Sequence, residues 1–456
     1  MDLKKNDIID LKITSMTAQG SGVGKTEDGI VIFVPNSAVG DELEVRVLKT
    51  KKTYAYGRIE SVRSPSPDRI EPDCPVFFKC GGCVFRHISY EAELKIKYDR
   101  VRDALERIGG FKDIRLDAVV PNPRVNRYRN KAQLPALDGE SVRLGFFANH
   151  SHRIIPLDGC LLQPELFDRV MKLTEEFMNE TAQTAYDERT LKGRLRHLYI
   201  RYAEATGELM VCLVVNGNGL KQEDLLVKKL REQLPELKTV VINSNREDTN
   251  VIMGRKNRVV YGEGYITDTL RGKRFKLSAL SFYQVNRTQA ERLYEIAEEH
   301  AKLSGSEVLL DLYCGTGTIG LTMAEKCREL IGVEIVEDAV NDARENALLN
   351  GVSNARFICG DAAFAAEKLR AEGIRPDVII IDPPRKGCDS KLIETVVKMA
   401  PKRVVYVSCD PETLARDLRL FEKLGYSPRE VTPVDLFSRT AHIENVALLE
   451  RCSDDY

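Results

Sequence analysis

The stretch VLLDLYCGTGTIG, residues 308–320, decides the fold of the last third of the chain. Its apolar start, Val308–Leu312, predicts a buried strand, and the glycines that follow form a G-x-G-x-x-G pattern. Such a turn lets the backbone approach a nucleotide closely, although the same pattern also occurs in turns that bind nothing. Asp311 stands just before the glycines, where a carboxylate would repel a pyrophosphate and attract a cationic ligand.

Short apolar runs alternate with helical stretches on the C-terminal side of this turn. Strands are predicted at Val308–Leu312, Leu330–Glu334, Ala355–Ile358, Val378–Ile381, Val404–Ser408 and Val446–Leu449. This alternation is typical of a doubly wound, Rossmann-like α/β sheet, which holds its ligands outside the carboxyl ends of the strands.

Three acidic residues follow these strands, and each has a predicted place beside an adenosine. Glu334 ends the second strand, where a carboxylate accepts both ribose hydroxyls. Asp361 follows the third strand and would read an adenine amino group, whereas Asp382 begins a rigid Asp-Pro-Pro loop after the fourth. Together with Asp311, these residues favour S-adenosylmethionine, whose amino-acid end is cationic, over a nicotinamide dinucleotide.

Cys409 is predicted to lie between the strand VVYVS and a helix that begins near Glu412. The positive end of a helix dipole lowers the pKa of a thiol, so Cys409 is a candidate nucleophile, although a lone cysteine there also fits a small buried residue. Glu444, just before the last strand, is a candidate base. A thiolate that adds to C6 of uracil makes C5 nucleophilic towards a methyl donor, and a base then removes the C5 proton.

The 456-residue chain is long enough for several domains. Residues 1–62 predict a small β-barrel of the oligonucleotide-binding kind, in which GSGVGKTEDG (20–29) is a hairpin connection. A proline-rich boundary follows at 64–73. A central α+β domain is predicted at residues 63–280, and its helix at about 88–110 is expected to pack on the catalytic domain. The α/β domain is predicted at residues 281–456.

Eleven cysteines without an export signal disfavour a disulfide framework and favour metal or catalytic roles. Cys74, Cys80 and Cys83 lie close together in sequence, and Cys160 follows well downstream. Four thiolates suit either a zinc ion or a [4Fe–4S] cluster, and the spacing alone leaves both open.

A formal net charge of −1 disfavours a protein that coats nucleic acid non-specifically, but it leaves room for a local basic face. Three basic runs with aromatic residues are candidate RNA contacts: RVNRYRNKAQ (124–133), KTKKTYAYGR (49–58) and RGKRFKL (271–277). Each run alone also fits an ordinary solvated face. The apolar runs are too short to span a bilayer, so a cytoplasmic protein without membrane contact is expected.

Taken together, FYQVN (282–286), DLYCGTG (311–317), DPPRKG (382–387), SCDP (408–411) and HIEN (442–445) resemble the RNA uridine-5-methyltransferase family. The resemblance extends over nearly the whole chain and implies that Cys409 is the nucleophile and Glu444 the base. It also implies donor contacts by Gln284, Tyr313, Glu334 and Asp382, with Asp361 as a further carry-over.

The N-terminal barrel resembles the TRAM domain that many members carry for RNA contact. Members that act on ribosomal RNA carry the C-x5-C-x2-C…C pattern as a [4Fe–4S] site, so the resemblance implies iron–sulfur ligation by Cys74, Cys80, Cys83 and Cys160, with zinc as the alternative.

The expected activity is therefore S-adenosylmethionine-dependent methylation of uridine C5 in 23S ribosomal RNA, and no obligate protein partner is inferred. Two alternatives remain open at this point. One is the same chemistry on the T-loop uridine of transfer RNA, and the other is a non-catalytic RNA-binding or ribosome-assembly factor with a methyltransferase-like domain. Arg385 follows the prolines where amino-methylating enzymes carry a base-stacking aromatic residue, so amino-group methylation is disfavoured.

Overall fold

A computed structural model of the chain describes residues 3–149 and 151–452. It divides into two compact units. The first contains the chain up to Arg102 together with Phe147–Ile155 and Phe437–His442, and the second contains Asp103–Phe146, Pro156–Leu436 and the chain from Ile443 onward. The predicted division into 1–62, 63–280 and 281–456 stays a prediction.

Strands and helices are numbered here in chain order. The strands are β1 (Ile8–Met16), β2 (Ser21–Lys25), β3 (Val31–Pro35), β4 (Glu42–Thr50), β5 (Tyr54–Ser64), β6 (Arg115–Leu116), β7 (Lys131–Leu137), β8 (Arg143–Phe147), β9 (Ile154–Pro156), β10 (Leu195–Ala203), β11 (Glu208–Val215), β12 (Leu237–Ser244), β13 (Lys256–Tyr261), β14 (Tyr265–Leu270), β15 (Lys273–Ser278), β16 (Val308–Leu312), β17 (Glu329–Glu334), β18 (Ala355–Cys359), β19 (Val378–Ile381), β20 (Arg403–Ser408), β21 (Tyr426–Val434) and β22 (Glu444–Arg451).

The α-helices are α1 (Tyr90–Ala104), α2 (Glu165–Glu180), α3 (Glu223–Gln233), α4 (Arg287–Ala301), α5 (Thr318–Met323), α6 (Glu337–Leu349), α7 (Ala362–Ala371), α8 (Ser390–Met399) and α9 (Pro411–Lys423). A π-helical turn, Leu105–Gly109, continues α1, and a short 3-10 turn, Ala324–Lys326, follows α5. The predicted helix at about 88–110 is therefore present.

The predicted N-terminal barrel is confirmed. Its strands close in the order β1-β2-β3-β5-β4 around a core of alternating inward residues such as Ile32, Val34 and Val45. The prediction that residues 20–29 only connect two strands is wrong in its first half, because Ser21–Lys25 forms β2 and pairs with both β1 and β3. Its small side chains carry little strand signal, and the pairing partners determine its conformation.

The middle of the chain forms a seven-stranded sheet in the order β13-β12-β11-β10-β7-β8-β9. Apolar residues of α2 and α3 pack against it, including Phe167, Phe177, Leu226 and Leu230. The central strands β10 and β11 are buried along almost their whole length. This sheet accounts for the predicted mixture of strands and helices, but a central domain organised around a cysteine cluster is not confirmed.

The C-terminal part is an eight-stranded sheet in the order β18-β17-β16-β19-β20-β22-β21-β6. The strands from β18 to β20 run parallel, as predicted, and β22 runs antiparallel to β20. β6 and β21 were not predicted; β21 carries two prolines, which weaken a strand signal. The reversal of β22 brings its first residue to the edge where the parallel strands end.

No helix within the described ranges is long and apolar enough to cross a lipid bilayer.

Candidate active site

Three predicted site residues meet at the carboxyl edge of the eight-stranded sheet. Asp382 follows β19 and Cys409 follows β20, which are neighbouring parallel strands. Glu444 opens β22, and the antiparallel register pairs Ser408 with Asn445. The sheet topology therefore gathers a thiol and two carboxyl groups that lie far apart in the sequence.

Local hydrogen bonds fix the turn that carries Cys409. Asp410 is the N-cap of α9 and accepts a hydrogen bond from the Thr413 N–H at 2.9 Å, with Pro411 in the first turn. The Ser408 hydroxyl donates to the Asp410 carbonyl oxygen at 3.0 Å, and Asn445 Nδ2 donates to the Ser408 carbonyl oxygen at 3.2 Å. Cys409 is half-buried at the start of this helix, as the sequence predicts.

The prediction that the helix dipole lowers the pKa of Cys409 is wrong for the protein without ligands. Burial raises the pKa of this thiol to about 11, and the nearby carboxyl groups of Glu444 and Asp382 contribute to the rise. Of the groups that act most strongly on this thiol, Arg385 alone lowers its pKa. Two carboxyl groups and desolvation outweigh the partial charge of one helix end, so the resting sulfur is a thiol.

Glu444 is buried and Asp382 is half-buried, and both are weakened acids. Burial raises the pKa of Glu444 to about 8, with a further rise from Asp382 and an opposing effect of Arg385. Burial also raises the pKa of Asp382 to about 7. A carboxyl group whose pKa lies near neutrality can both hold and release a proton, which suits acid–base catalysis.

Asp311 offers an unused carboxylate oxygen beside the glycine turn. Its Oδ2 accepts a hydrogen bond from the Gly320 N–H at 3.0 Å, whereas its buried Oδ1 has no hydrogen-bond partner among the described residues. Burial raises the pKa of Asp311 to about 7. A buried oxygen without a donor is costly, so the site fits a ligand that brings a cationic N–H group, such as an ammonium.

The glycine turn adopts conformations that favour glycine. Gly315 and Gly317 have φ of 55° and 81°, and Gly317 precedes the first turn of α5. Glu334 fastens the turn, because its Oε2 accepts a hydrogen bond from the Gly315 N–H at 3.1 Å and its Oε1 accepts one from the Val336 N–H at 2.9 Å. Tyr313 also has a positive φ, 65°, and lies half-buried in the same turn.

Two other predicted donor contacts have structural roles in the absence of ligand. Asp361 is the N-cap of α7, and its Oδ1 accepts hydrogen bonds from the N–H groups of Ala363 and Phe364. Gln284 is buried, and its carbonyl oxygen accepts a hydrogen bond from Asn130 Nδ2 at 3.0 Å. This bond joins the FYQVN segment to the start of β7.

Large apolar side chains are exposed just after the strands β17 and β18, two of them in the loop after β17 and one in the first turn of α7. Ile335, Val336 and Phe364 are 63%, 53% and 70% exposed. They come directly after Glu334 or close to Asp361, the residues predicted to contact ribose and adenine. Exposed apolar side chains at these three positions suit a flat aromatic ligand such as a nucleobase.

The predicted cluster cysteines receive no support as a metal site. Cys74, Cys80 and Cys83 belong to the first compact unit and Cys160 to the second. Burial raises the pKa of Cys80 against the effect of the Gly82 N–H, which donates to its sulfur at 3.4 Å, and Cys74 adds a smaller rise. Across residues 3–149 and 151–452, no group of three or more histidine, cysteine, aspartate or glutamate side chains could hold a metal ion.

In two of the three basic runs, several of the side chains are buried or form ion pairs within the protein. Tyr128 in the run 124–133 is buried, so its ring is not exposed for stacking on a base. Arg124 and Arg127 of that run pair with acidic residues, as do the cations Arg271, Lys273 and Lys276 of the run 271–277. The run 49–58 differs, because its barrel surface carries the neighbouring rings of Phe33, Tyr54 and Tyr56.

Sequence reasoning missed two groups near the reacting edge. Arg385 was considered only as a replacement for an aromatic residue, but its charge acts on both Cys409 and Glu444. Tyr294 of α4 is fully buried, and its hydroxyl shares a hydrogen bond with Thr318 Oγ1 at 3.0 Å. Burial raises the pKa of Tyr294, and Asp382, Asp311 and Glu444 add smaller rises. The helical pattern of α4 gives no sign that one of its core residues faces three acids.

Family comparison agrees with this geometry. Residues 90–452 match the family model described as tRNA (uracil-5-)-methyltransferase, and residues 3–59 match the TRAM domain. An RNA methyltransferase of Halalkalibacterium halodurans is 45% identical over 98% of this chain and 98% of its own length. Another from Clostridium tetani is 42% identical over 99% of this chain and 98% of its own.

The chain also resembles a solved structure over nearly its whole length. The tRNA (uracil-54, C5)-methyltransferase of Pyrococcus abyssi, determined in complex with S-adenosyl-L-homocysteine, superposes with a TM-score of 0.78. It is 28% identical in sequence, and the match covers 96% of this chain and 99% of that one.

Proposed function

This chain belongs to the RNA (uracil-5)-methyltransferase family and carries a TRAM domain, and we propose that it transfers a methyl group from S-adenosylmethionine to C5 of a uridine in RNA through a covalent bond to Cys409. The observation that carries the proposal is the convergence of Cys409, Glu444 and Asp382 at one sheet edge. The TRAM barrel contributes RNA contact.

Cys409 acts first in the proposed reaction. After loss of its proton, its sulfur bonds to C6 of uracil, and the electrons of the C5–C6 double bond move towards O4. C5 then bonds to the methyl group of S-adenosylmethionine, whose bond between sulfur and methyl carbon breaks to leave S-adenosylhomocysteine. Glu444 removes the C5 proton, the C5–C6 double bond re-forms, and the bond between sulfur and C6 breaks.

Arg385 adjusts the protonation of both reacting groups. Its charge lowers the pKa of Cys409 and of Glu444, against burial and the neighbouring carboxyl groups. Both groups must lose a proton to act, one as nucleophile and the other as base. We therefore assign Arg385 to the reaction as the cation that favours their ionised forms.

The donor is held by residues around the glycine turn. The unpartnered oxygen of Asp311 accepts the ammonium group, and Glu334 faces the ribose beside the exposed apolar side chains. Gln284, Tyr313, Asp361 and Asp382 complete the proposed set of donor contacts. The complex of the Pyrococcus abyssi enzyme with the demethylated donor supports this choice of ligand.

We propose 23S ribosomal RNA as the substrate, on the combination of the TRAM barrel with the four-cysteine pattern. Transfer RNA is the second candidate. Two observations favour it: the matching family model is described as a tRNA methyltransferase, and the superposed Pyrococcus abyssi enzyme acts on uracil 54 of tRNA.

The iron–sulfur site stays a proposal that rests on the sequence pattern of Cys74, Cys80, Cys83 and Cys160. The described residues contain no group of three or more potential ligands arranged to hold a metal ion, and the steps proposed above use none. Protein purified without oxygen tests the site directly. A brown colour with bound iron and sulfide would support it, and a colourless protein that contains zinc, or no metal, would refute it.

A methylation assay on two RNAs tests the proposed function. Purified protein, labelled S-adenosylmethionine and unmodified transcripts of 23S ribosomal RNA or transfer RNA are incubated, and 5-methyluridine is mapped by mass spectrometry. Product in the ribosomal transcript alone supports our assignment, and product in transfer RNA alone selects the alternative. Methylation that persists unchanged in Cys409→Ala would refute the covalent mechanism.

A further inference from the structure

A basic cleft lies at one end of the seven-stranded sheet, within the second compact unit. Its volume is about 770 Å³, and it lies where β11 and β12 end and β10 and β13 begin. Four cations line it: Arg194, Lys221, Arg246 and Arg258. Glu223 is the acidic side chain in the lining, so the cleft is strongly positive in a chain whose formal net charge is −1.

Neighbouring groups hold three of these cations in place. Arg258 donates to both carboxylate oxygens of Glu223, at 2.8 Å and 2.7 Å, and Arg246 donates to Asn218 Oδ1 at 2.7 Å. Arg194 donates to the Asn216 carbonyl oxygen at 3.3 Å. In the part of the chain that the structure describes, the Lys221 side chain has no ion pair. The cleft therefore presents oriented donors whose charge is only partly neutralised.

The cleft lies away from the predicted donor-binding segment. Near the opposite end of β10, Arg201 donates to the carbonyl oxygens of Ser278 and Ser281, just before Gln284. Arg194 precedes the first residue of β10, and seven residues of extended chain span roughly 23 Å. The length of β10 thus separates the cleft from the segment that carries Gln284.

All four cationic residues remain exposed, which distinguishes the cleft from a pocket that encloses a small anion. An open, basic groove suits a polymer whose phosphates lie across it. We propose that this cleft binds backbone phosphates of the RNA substrate in a region remote from the target uridine. This inference rests on the proposed function and adds a second contact site to it.

Binding of a long and a short RNA tests the inference. The full chain, with Lys221→Glu and Arg246→Glu combined, is compared with wild type in filter binding. The probes are an unmodified 23S ribosomal transcript and a uridine-containing stem-loop shorter than one duplex turn. We expect the variant to bind the transcript about tenfold more weakly and the stem-loop equally well, since the short RNA does not reach the cleft. Each phosphate contact that is lost should also lower the salt slope of transcript binding by about 0.7–0.9.

Lys172→Glu is the matched control, because Lys172 is an exposed cation on α2 of the same unit and does not line the cleft. Lys221→Gln is a milder second variant whose thermal melt verifies folding. The inference would be overturned if Lys172→Glu weakened transcript binding equally, if the cleft variant lost equal affinity for both RNAs, or if it lost no affinity for either. Binding of inorganic polyphosphate alone, with both RNAs unaffected, would overturn it too.

Filter binding does not depend on methyl transfer, so the two proposals fail separately. Absence of 5-methyluridine with every protein would refute the proposed function, whereas the transcript-specific loss of binding would still be measured. Normal methylation of the stem-loop by the cleft variant, with weakened binding of the transcript, would support both proposals.

Discussion

Cys409 keeps its proton in the resting protein, and this shapes the chemistry expected of it. Burial and the carboxyl groups of Glu444 and Asp382 hold the pKa of the thiol near 11. Attack on uracil therefore has to coincide with a change in this environment. Arg385 is the cation whose effect runs in the required direction.

Replacing Glu444 with Gln should trap the reaction after methyl transfer. The amide cannot accept the C5 proton, so the bond between Cys409 and C6 cannot be eliminated. We expect turnover to fall by about 10²–10⁴ and a protein–RNA adduct to survive denaturing electrophoresis. Cys409→Ala,Glu444→Gln protein is the control and should form no adduct. A Glu444→Gln enzyme that turns over normally would exclude Glu444 as the base.

Replacing Arg385 with Gln should shift the pH dependence of methylation upward. Removal of the cation leaves burial and Asp382 to raise the pKa of Glu444 further above about 8. The rate at neutral pH should fall, and the alkaline rise of the pH–rate profile should move to higher pH. Lys386→Gln, which removes the adjacent cation, is the control. An equal shift of its pH–rate profile would mean that the loss of any positive charge in this loop has the same effect.

At the scale of elements, the glycine turn and its acids form one unit. An added Cβ at Gly320 would lie 2.8 Å from Asp311 Oδ2 and 2.8 Å from Leu330 Cδ1. The first of these contacts disturbs the carboxyl group proposed to hold the donor. Donor binding should therefore depend on the absence of a side chain at this position.

Gly320→Ala should weaken binding of S-adenosylmethionine, measured by calorimetry, and lower stability by about 1–3 kcal/mol through overpacking. Gly351→Ala is a suitable control. Gly351 has φ of 65° and open space around it, so alanine there costs about 1–2 kcal/mol of backbone strain without touching Asp311. Equal donor affinity in the two variants would contradict the role given to the turn.

The elements differ in how far the sequence predicts them. β16 and β19 carry four or five consecutive apolar or buried residues, and their bounds are predicted correctly. β2 is missed because small residues resemble a turn, and β21 because Pro428 and Pro433 interrupt it. The roles proposed for Cys409 and Glu444 follow from family motifs. Their altered pKa values do not, because they arise from burial and from groups distant in the sequence.

At the scale of the molecule, three acids with raised pKa values tie stability to pH. The pKa values of Asp311, Asp382 and Glu444 are about 7, 7 and 8 in the folded protein, against ordinary values of 3.8, 3.8 and 4.5. At a pH between an acid's ordinary pKa and its raised pKa, the folded chain holds a proton on that acid and the unfolded chain has released it. Stability contributed by these protons is present at low pH and is lost as pH rises through about 7–8.

We therefore expect the melting temperature, measured by circular dichroism, to fall from about pH 4 to about pH 8 and to level off above that. Each proton involved changes the free energy of unfolding by about 1.4 kcal/mol per pH unit. Glu444→Gln, which cannot titrate at that position, should show a shallower fall. A profile that stays flat in wild type would mean that these acids are ionised throughout.

The place of β22 in the sheet has a consequence for synthesis. This strand lies between β20 and β21, although it is made after both. A nascent chain that lacks it has an unpaired gap in the sheet and no Glu444. The sheet is thus completed together with the arrival of Glu444, so a partly translated chain carries Cys409 without the group proposed to release it from RNA.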